Sequence, residues 1–462
     1  MIKCRLFYRL RMRQPVSDQT GNTAPAICCR QSRWFRRGCF LLLAVVWAAL
    51  FLEPLRLMML YAFPPRVFLK DFIQEWLMAR AVMEGVNPYL PLARLAEIFF
   101  SPAPCIIGLG LPSPHPPPAV LLALPFGLIN YPQAALAWFL CELACIGASV
   151  YIVLHWWRGG RPSLVRVAFT TLLVLAAAPF WEGLLYGQLS SLLLLLLLCA
   201  WRSQRQIWAG CFLGASLSLK LMGAPIWLFF LIRKQWYAAG VAFGVFIVTH
   251  VAAALAMGIG PIAHYYRSVA GSMAYTYRLV EWNFSPWTVG WRLFSGVGGP
   301  FEKSTVILPL FQKPGAALYV SALLLVLALG AGLLMAAKSK DRNVSWAVLF
   351  CLSAVVGPIA WIHYLVLLLL PFALVLNNLK RRGYPLLQTA LWAMLAGALL
   401  IPDYALINLL ARFNINYSGT GPVTVTFWAG LLTLVPLAVT LTLMGLAAWS
   451  AKQEGRQAAP SE

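Results

Sequence analysis

The sequence predicts an all-α polytopic membrane protein, and three observations carry that reading. Hydrophobic residues make up 61% of the chain and charged residues only 11%, where a soluble globular chain carries about 25% charged residues. Mean hydropathy over the 462 residues is +0.76, which over such a length requires many spans rather than one anchor. The basic residues, which bring the net charge to +22, sit in short clusters between apolar runs, as cytoplasmic loops do. No basic domain or base-stacking module accompanies them, so nucleic acid is excluded as a partner. The ten cysteines lack metal-ligand spacing and read as buried thiols.

In chain order, residues 1–37 form a polar basic arm with Lys3, Arg5, Arg9, Arg11, Arg13, Arg30, Arg33, Arg36 and Arg37. It sets the N-terminus on the cytoplasmic side. It is too long for a signal-peptide n-region, and Glu53, Pro54 and Arg56 occupy the place of a cleavage site. A membrane domain then fills 38–450, followed by a polar, irregular cytoplasmic tail, 451–462. The first span runs from about Gly38 to Leu60, with Glu53 and Arg56 spaced to pair. The loop 61–117 is then extracytoplasmic. Within it Phe72, Leu77, Val82 and Met83 predict an amphipathic helix lying on the membrane surface. Gly85 caps that helix and Pro88 breaks the chain after it.

Residues 118–155 break at Asn130-Tyr131-Pro132 into a half-helix and a longer span, crossing once or as a hairpin. Leu164–Ala178 and Leu189–Ala200 form a pair joined by PFWEGLLYGQ. Residues 207–232 read as two short helices that bend near Lys220 and return, as broken helices do where they line a cavity. Trp236–Met257 is a span, and 258–314 a second long extracytoplasmic loop. Spans near 315–336, 344–357, 362–377, 385–401 and 426–448 complete about twelve transmembrane helices. The basic clusters after 155, 200, 232, 337 and 379 fall on one side if the N-terminus is inside.

Four groups can carry chemistry. Asp71, one of four aspartates, starts the first loop helix and reads as a base or as a helix cap; Glu75, four residues on, shares its face. Lys220 sits inside an apolar run, where a lysine costs about 2.5–3.5 kcal/mol on insertion scales and needs an anion or a wet cavity. His363, with Trp361 and Tyr364, lies where an apolar run emerges outside; a histidine there can donate to phosphate or take a proton, or stand in an aromatic belt. Asn283, Ser285 and Arg292 close the second loop, Arg292 having the geometry that suits phosphate. Asp403 is the other aspartate placed outside. No residue set has metal-ligand spacing, and no cofactor is expected.

Several motifs in this order resemble glycosyltransferase family 87. They are the Asp-led helix ending in Gly85-Val-Asn-Pro-Tyr89, the prolines 116–118, Tyr186-Gly187-Gln188 before a leucine run, Ala209-Gly210 and Gly214 ahead of Lys220, the Arg233-Lys234 cluster, and Gly357-Pro-Ile-Ala-Trp361-Ile-His363. The resemblance spans roughly residues 65–380. It implies the GT-C fold, with the active site on the extracytoplasmic side of a bacterial plasma (inner) membrane. It also implies a polyprenyl-phosphate sugar donor, mannose by default, and a lipid or glycan acceptor. In that reading Asp71 is the catalytic base, and Lys220, Arg292 and His363 meet the donor phosphate. Glu75, Tyr89, Gln188, Asn283, Trp361 and Tyr364 hold substrate. Ser190, Leu221 and Tyr364 stand where the family often has Asn, Pro and a second His. Broken helices and a mid-membrane lysine also fit a transporter or flippase of lipid-linked sugars, although the two halves show no inverted repeat.

Overall fold

The computed structural model describes residues 51–103, 110–299, 304–416 and 422–457, with side chains up to Ser450. The basic arm and most of the first span lie outside the described residues. What is described is a helical membrane protein with one short parallel strand pair, Val306–Ile307 beside Thr424–Val425, which tacks the second loop to the chain before the last span. Nothing in the hydropathy pattern marks this pair.

Among the described residues, five helices are long and apolar enough to cross a bilayer: Tyr131–Arg158, Trp236–Met257, Pro314–Lys338, Ile362–Arg381 and Phe427–Ser450. Two bent pairs, Leu164–Val174 with Ala178–Tyr186 and Leu386–Ala398 with Asp403–Ala411, turn by 87° and 81° and raise the number to seven if each is one span. The other apolar runs form helices such as Ser190–Arg202 and Gln206–Leu219, of 13 and 14 residues. At 1.5 Å per residue these reach about 20 Å, short of a 30 Å hydrocarbon core. The sequence expectation of about twelve transmembrane helices counts such short helices as spans, whereas five to seven of the described helices qualify by length and hydropathy.

Local chemistry explains the breaks. Asn130 caps Tyr131–Arg158, its side chain accepting from the Gln133 N–H at 3.2 Å. Lys220 adopts an extended conformation (φ −157°, ψ 139°) between Gln206–Leu219 and the turn that leads into Ala224–Ile232, so the bend falls at the lysine. Gly210 and Gly214 let Gln206–Leu219 touch Trp236–Met257: a Cβ on either would lie 2.7 or 2.5 Å from the carbonyl oxygen of Ala238 or Ala242.

Three expectations change. Phe72–Met83 is not a surface-lying amphipathic helix: Phe72, Ile73, Glu75, Trp76, Leu77, Met78, Ala79 and Ala81 are all buried, because neighbouring helices and the 131–138 segment close over it, Phe72 stacking on Trp138 at 5.0 Å. It is Leu92–Phe99 that is one-sided, burying Leu92, Leu95 and Ala96 while Arg94 and Glu97 pair in solvent at 2.7 Å. The PFWEGLLYGQ segment is not a plain connection. Pro179 near its start and left-handed Gly187 (φ +73°) at its end frame a buried helix. The last helix runs on to Gln457, into the tail expected to be irregular.

Candidate active site

A cavity of about 1050 Å³ opens between these elements, walled largely by apolar and aromatic side chains. Asp71, Gln188, Lys220, Trp361, His363 and Tyr364 all line it, so residues from four separate stretches of sequence meet there.

Asp71 precedes Phe72–Met83 but its side chain makes no capping bond. Its carboxylate instead accepts from the Gln188 amide, Nε2 to Oδ2. The amide's other end faces Lys220, whose Nζ lies 3.5 Å from Oε1. Gln188 therefore separates the acid from the ammonium while touching both. Gly187 makes this possible: its left-handed φ of +73° turns the chain, and a Cβ there would lie 2.8 Å from the Phe72 Cβ. The Trp138 indole further pins the turn, donating to the Gly187 carbonyl at 3.0 Å. Lys70, beside Asp71, donates to the carbonyls of Leu184 and Leu185 at 3.1 and 2.8 Å, which ends the Ala178–Tyr186 helix against the Asp71 loop.

The Asp71 carboxyl is pushed up to about 6, first by removal from water and then by the Glu75 charge, with His115, the Gln188 hydrogen bond and Lys220 opposing. Lys220 also lies over the Tyr364 ring, 4.7 Å from its centre, a contact favourable to a cation. His363 is buried, its Nε2 without a hydrogen-bond partner. An unsatisfied buried nitrogen on a cavity wall calls for a polar group from outside the chain.

The remaining sequence candidates stand elsewhere. Arg292 does not line the cavity. Its guanidinium, 1% exposed, donates to the carbonyls of Glu281 and Asn283 at 2.5 and 3.0 Å, and burial pushes it down to about 10. Asn283 is a clasp. It donates to the carbonyls of Tyr277 and Pro358 at 3.2 and 2.9 Å and accepts from the N–H groups of Ser285 and Ala360, both at 3.0 Å. The second loop thus holds the 357–363 turn that presents Trp361 and His363. Glu75, 3% exposed, pairs behind the wall with His115 at 2.5 Å. The Tyr89 hydroxyl donates to the His115 carbonyl at 3.1 Å.

The cavity also holds residues that sequence reasoning passed over: His115, Glu182 and a row of tyrosines. His115 is the one ionisable residue in PSPHPPP, a signal available in the sequence. Glu182 lay hidden in an apolar stretch; its carboxylate accepts the Asp403 N–H at 3.0 Å, and both residues line the cavity.

A multi-span helical protein with an acid, an amide and a lysine assembled on an apolar cleft is the class these features define. The chain belongs to glycosyltransferase family 87, whose family model matches residues 114–360. Gln188, Lys220, Asn283 and Arg292 fall inside the match; Asp71 and His363 fall outside it. A polyprenol-phosphate-mannose-dependent alpha-(1-2)-phosphatidylinositol mannoside mannosyltransferase of Mycobacterium tuberculosis is 32% identical over 183 residues, covering 37% of this chain and 41% of that protein. A polyprenol-phosphate-mannose-dependent alpha-(1-2)-phosphatidylinositol pentamannoside mannosyltransferase of Mycolicibacterium smegmatis is 26% identical over 348 residues, 75% of this chain and 78% of that protein. No solved structure gives a significant match.

Proposed function

We propose that the chain is a membrane mannosyltransferase that moves mannose from a polyprenyl-phosphate donor to a lipid or glycan acceptor on the extracytoplasmic face of a bacterial plasma membrane. The observation that carries this reading is the Asp71 carboxylate, turned away from its helix end and into the cavity beside Gln188 and Lys220. The names of the two relatives support the donor. About twelve helices of the GT-C arrangement, short ones included, enclose the cleft in this reading.

In the mechanism Asp71 takes the proton of the acceptor hydroxyl as that oxygen bonds to the anomeric carbon. The bond from that carbon to the phosphate oxygen breaks, and its electron pair leaves with the lipid phosphate. Lys220 and the unpartnered Nε2 of His363 meet the phosphate oxygens. One displacement inverts the anomeric carbon. Arg292, placed by sequence at the phosphate, acts at a distance by holding the second loop. Purified protein in liposomes, given labelled polyprenyl-phosphate-mannose and candidate acceptors, tests the reading. It predicts sugar transfer; translocation of the donor without transfer would mean a flippase.

A further inference from the structure

The GxNPY and PPP motifs meet at one histidine, and the transfer reading alone gives that meeting no purpose. His115 is 5% exposed and lines the same cavity as Asp71, Lys220 and His363. Three contacts fix it. Its Nδ1 lies 2.5 Å from the Glu75 Oε1, its carbonyl accepts from the Tyr89 hydroxyl at 3.1 Å, and the carbonyl of Pro114 before it accepts from the Tyr265 hydroxyl at 2.9 Å. Pro114 and Pro116 on either side restrict its backbone further. Glu75 is buried at 3% exposure, and its second oxygen, Oε2, has no partner.

A ring with a carboxylate at one edge, on a backbone held at two carbonyls, is pre-organised for a contact on its remaining side. The Glu75 carboxylate, 2.5 Å from Nδ1, occupies that edge of the ring and leaves Nε2 as the working atom. The chemistry at that end of the cavity is cationic and hydrogen-bonding, with Lys220 and the unpartnered His363 Nε2 already there. Arg292, the expected third group, does not line the cavity, and its Nη2 donates to backbone carbonyls behind it.

Resting on the transfer reading above, we propose that His115 contacts the donor: its Nε2 hydrogen-bonds the phosphate of the lipid-phosphate sugar, and Glu75 is the buried residue that positions the ring. Tyr89 then serves the donor through His115, as a positioning residue.

The test measures binding of a short-chain polyprenyl phosphate, without sugar, to the full chain in detergent, beside the rate of transfer. Gln places its amide nitrogen near the position of Nε2, and Asn near that of Nδ1. His115→Asn is therefore expected to weaken binding about 10- to 100-fold, as for loss of a hydrogen bond to a charged group. His115→Gln should recover part of that loss. Glu75→Gln should weaken binding in the wild-type background and add little in the His115→Asn background, since it acts through the ring. Unchanged affinity in His115→Asn, with a normally folded protein, overturns the assignment alone. So does a Glu75→Gln cost that is the same in both backgrounds. Failure of the wild-type chain to bind the probe overturns the transfer reading and this assignment together.

Discussion

At the residue scale, the site is decided by which polar atoms find partners within the chain and which do not. Asp71 gives up the capping bond that its position offers and accepts from Gln188 instead. Burial and the nearby Glu75 charge push its carboxyl up to about 6. A base must be ionised, so kcat/KM should rise with pH through about 6 and flatten above it, an acid limb absent from the residual activity of Asp71→Asn; a pH–rate profile of the two proteins checks this. Lys220 has one long contact, to Gln188, and an aromatic ring beneath it, and in the proposed mechanism its counter-anion is the donor phosphate. Lys220→Met should weaken donor binding at least about tenfold, with Lys220→Arg keeping part of it; equal affinity in the Met variant would remove the phosphate role. These two residues were legible in the sequence for a physical reason. A charge in an apolar run, or an acid just beyond a span, is costly enough to need a cause. His115 stood out as the one ionisable residue among prolines, but it and Glu182, on an apolar helix, acquire meaning only from what the fold places opposite them.

At the element scale, helices that stop short matter more than helices that span. Gln206–Leu219 ends at extended Lys220, and Ala178–Tyr186 ends at left-handed Gly187. Each ending delivers a side chain to the cavity. Sequence reasoning found the first break from its lysine and proline, but took the second segment for a connection, because nine residues are too few to show a period. The surface helix over Phe72–Met83 failed for a related cause: the apolar residues chosen for one face ignored Ile73, Trp76 and Met78, which bury the other faces as well. The second loop, whose Arg292 was placed by sequence at the phosphate, carries Asn283 as a clasp on the 357–363 turn. Asn283→Ala would leave the carbonyls of Tyr277 and Pro358 and the N–H groups of Ser285 and Ala360 short of a partner. It is expected to cost about 1–3 kcal/mol of stability and to slow transfer by displacing Trp361 and His363. A thermal melt and a transfer assay on one preparation measure both; an active, wild-type-stable variant would show that the clasp is dispensable.

At the scale of the whole molecule, composition settled that this is a helical membrane protein, and the basic clusters supplied a topology. Hydropathy could not distinguish full spans from helices of 13 or 14 residues, because both are apolar and only length and packing separate them. If the N-terminus is inside, both long loops face outward. In a cysteine-free background, single cysteines at Arg94 and Leu308, both exposed, should react with an impermeant thiol reagent added to intact cells. Labelling of both only after permeabilisation would reverse the orientation and move the cleft to the cytoplasmic side.

The central claim is that Asp71 is the base of a sugar transfer. The most direct measurement is the transfer rate from labelled polyprenyl-phosphate-mannose by wild type, Asp71→Asn and Glu75→Gln in the same liposomes. Asn keeps the size of Asp and a helix-start preference, and it removes only the basicity. The expected result is a folded Asp71→Asn protein that still binds donor but transfers at least about a hundredfold more slowly, with a smaller loss in Glu75→Gln. Transfer by Asp71→Asn at near the wild-type rate would contradict the account.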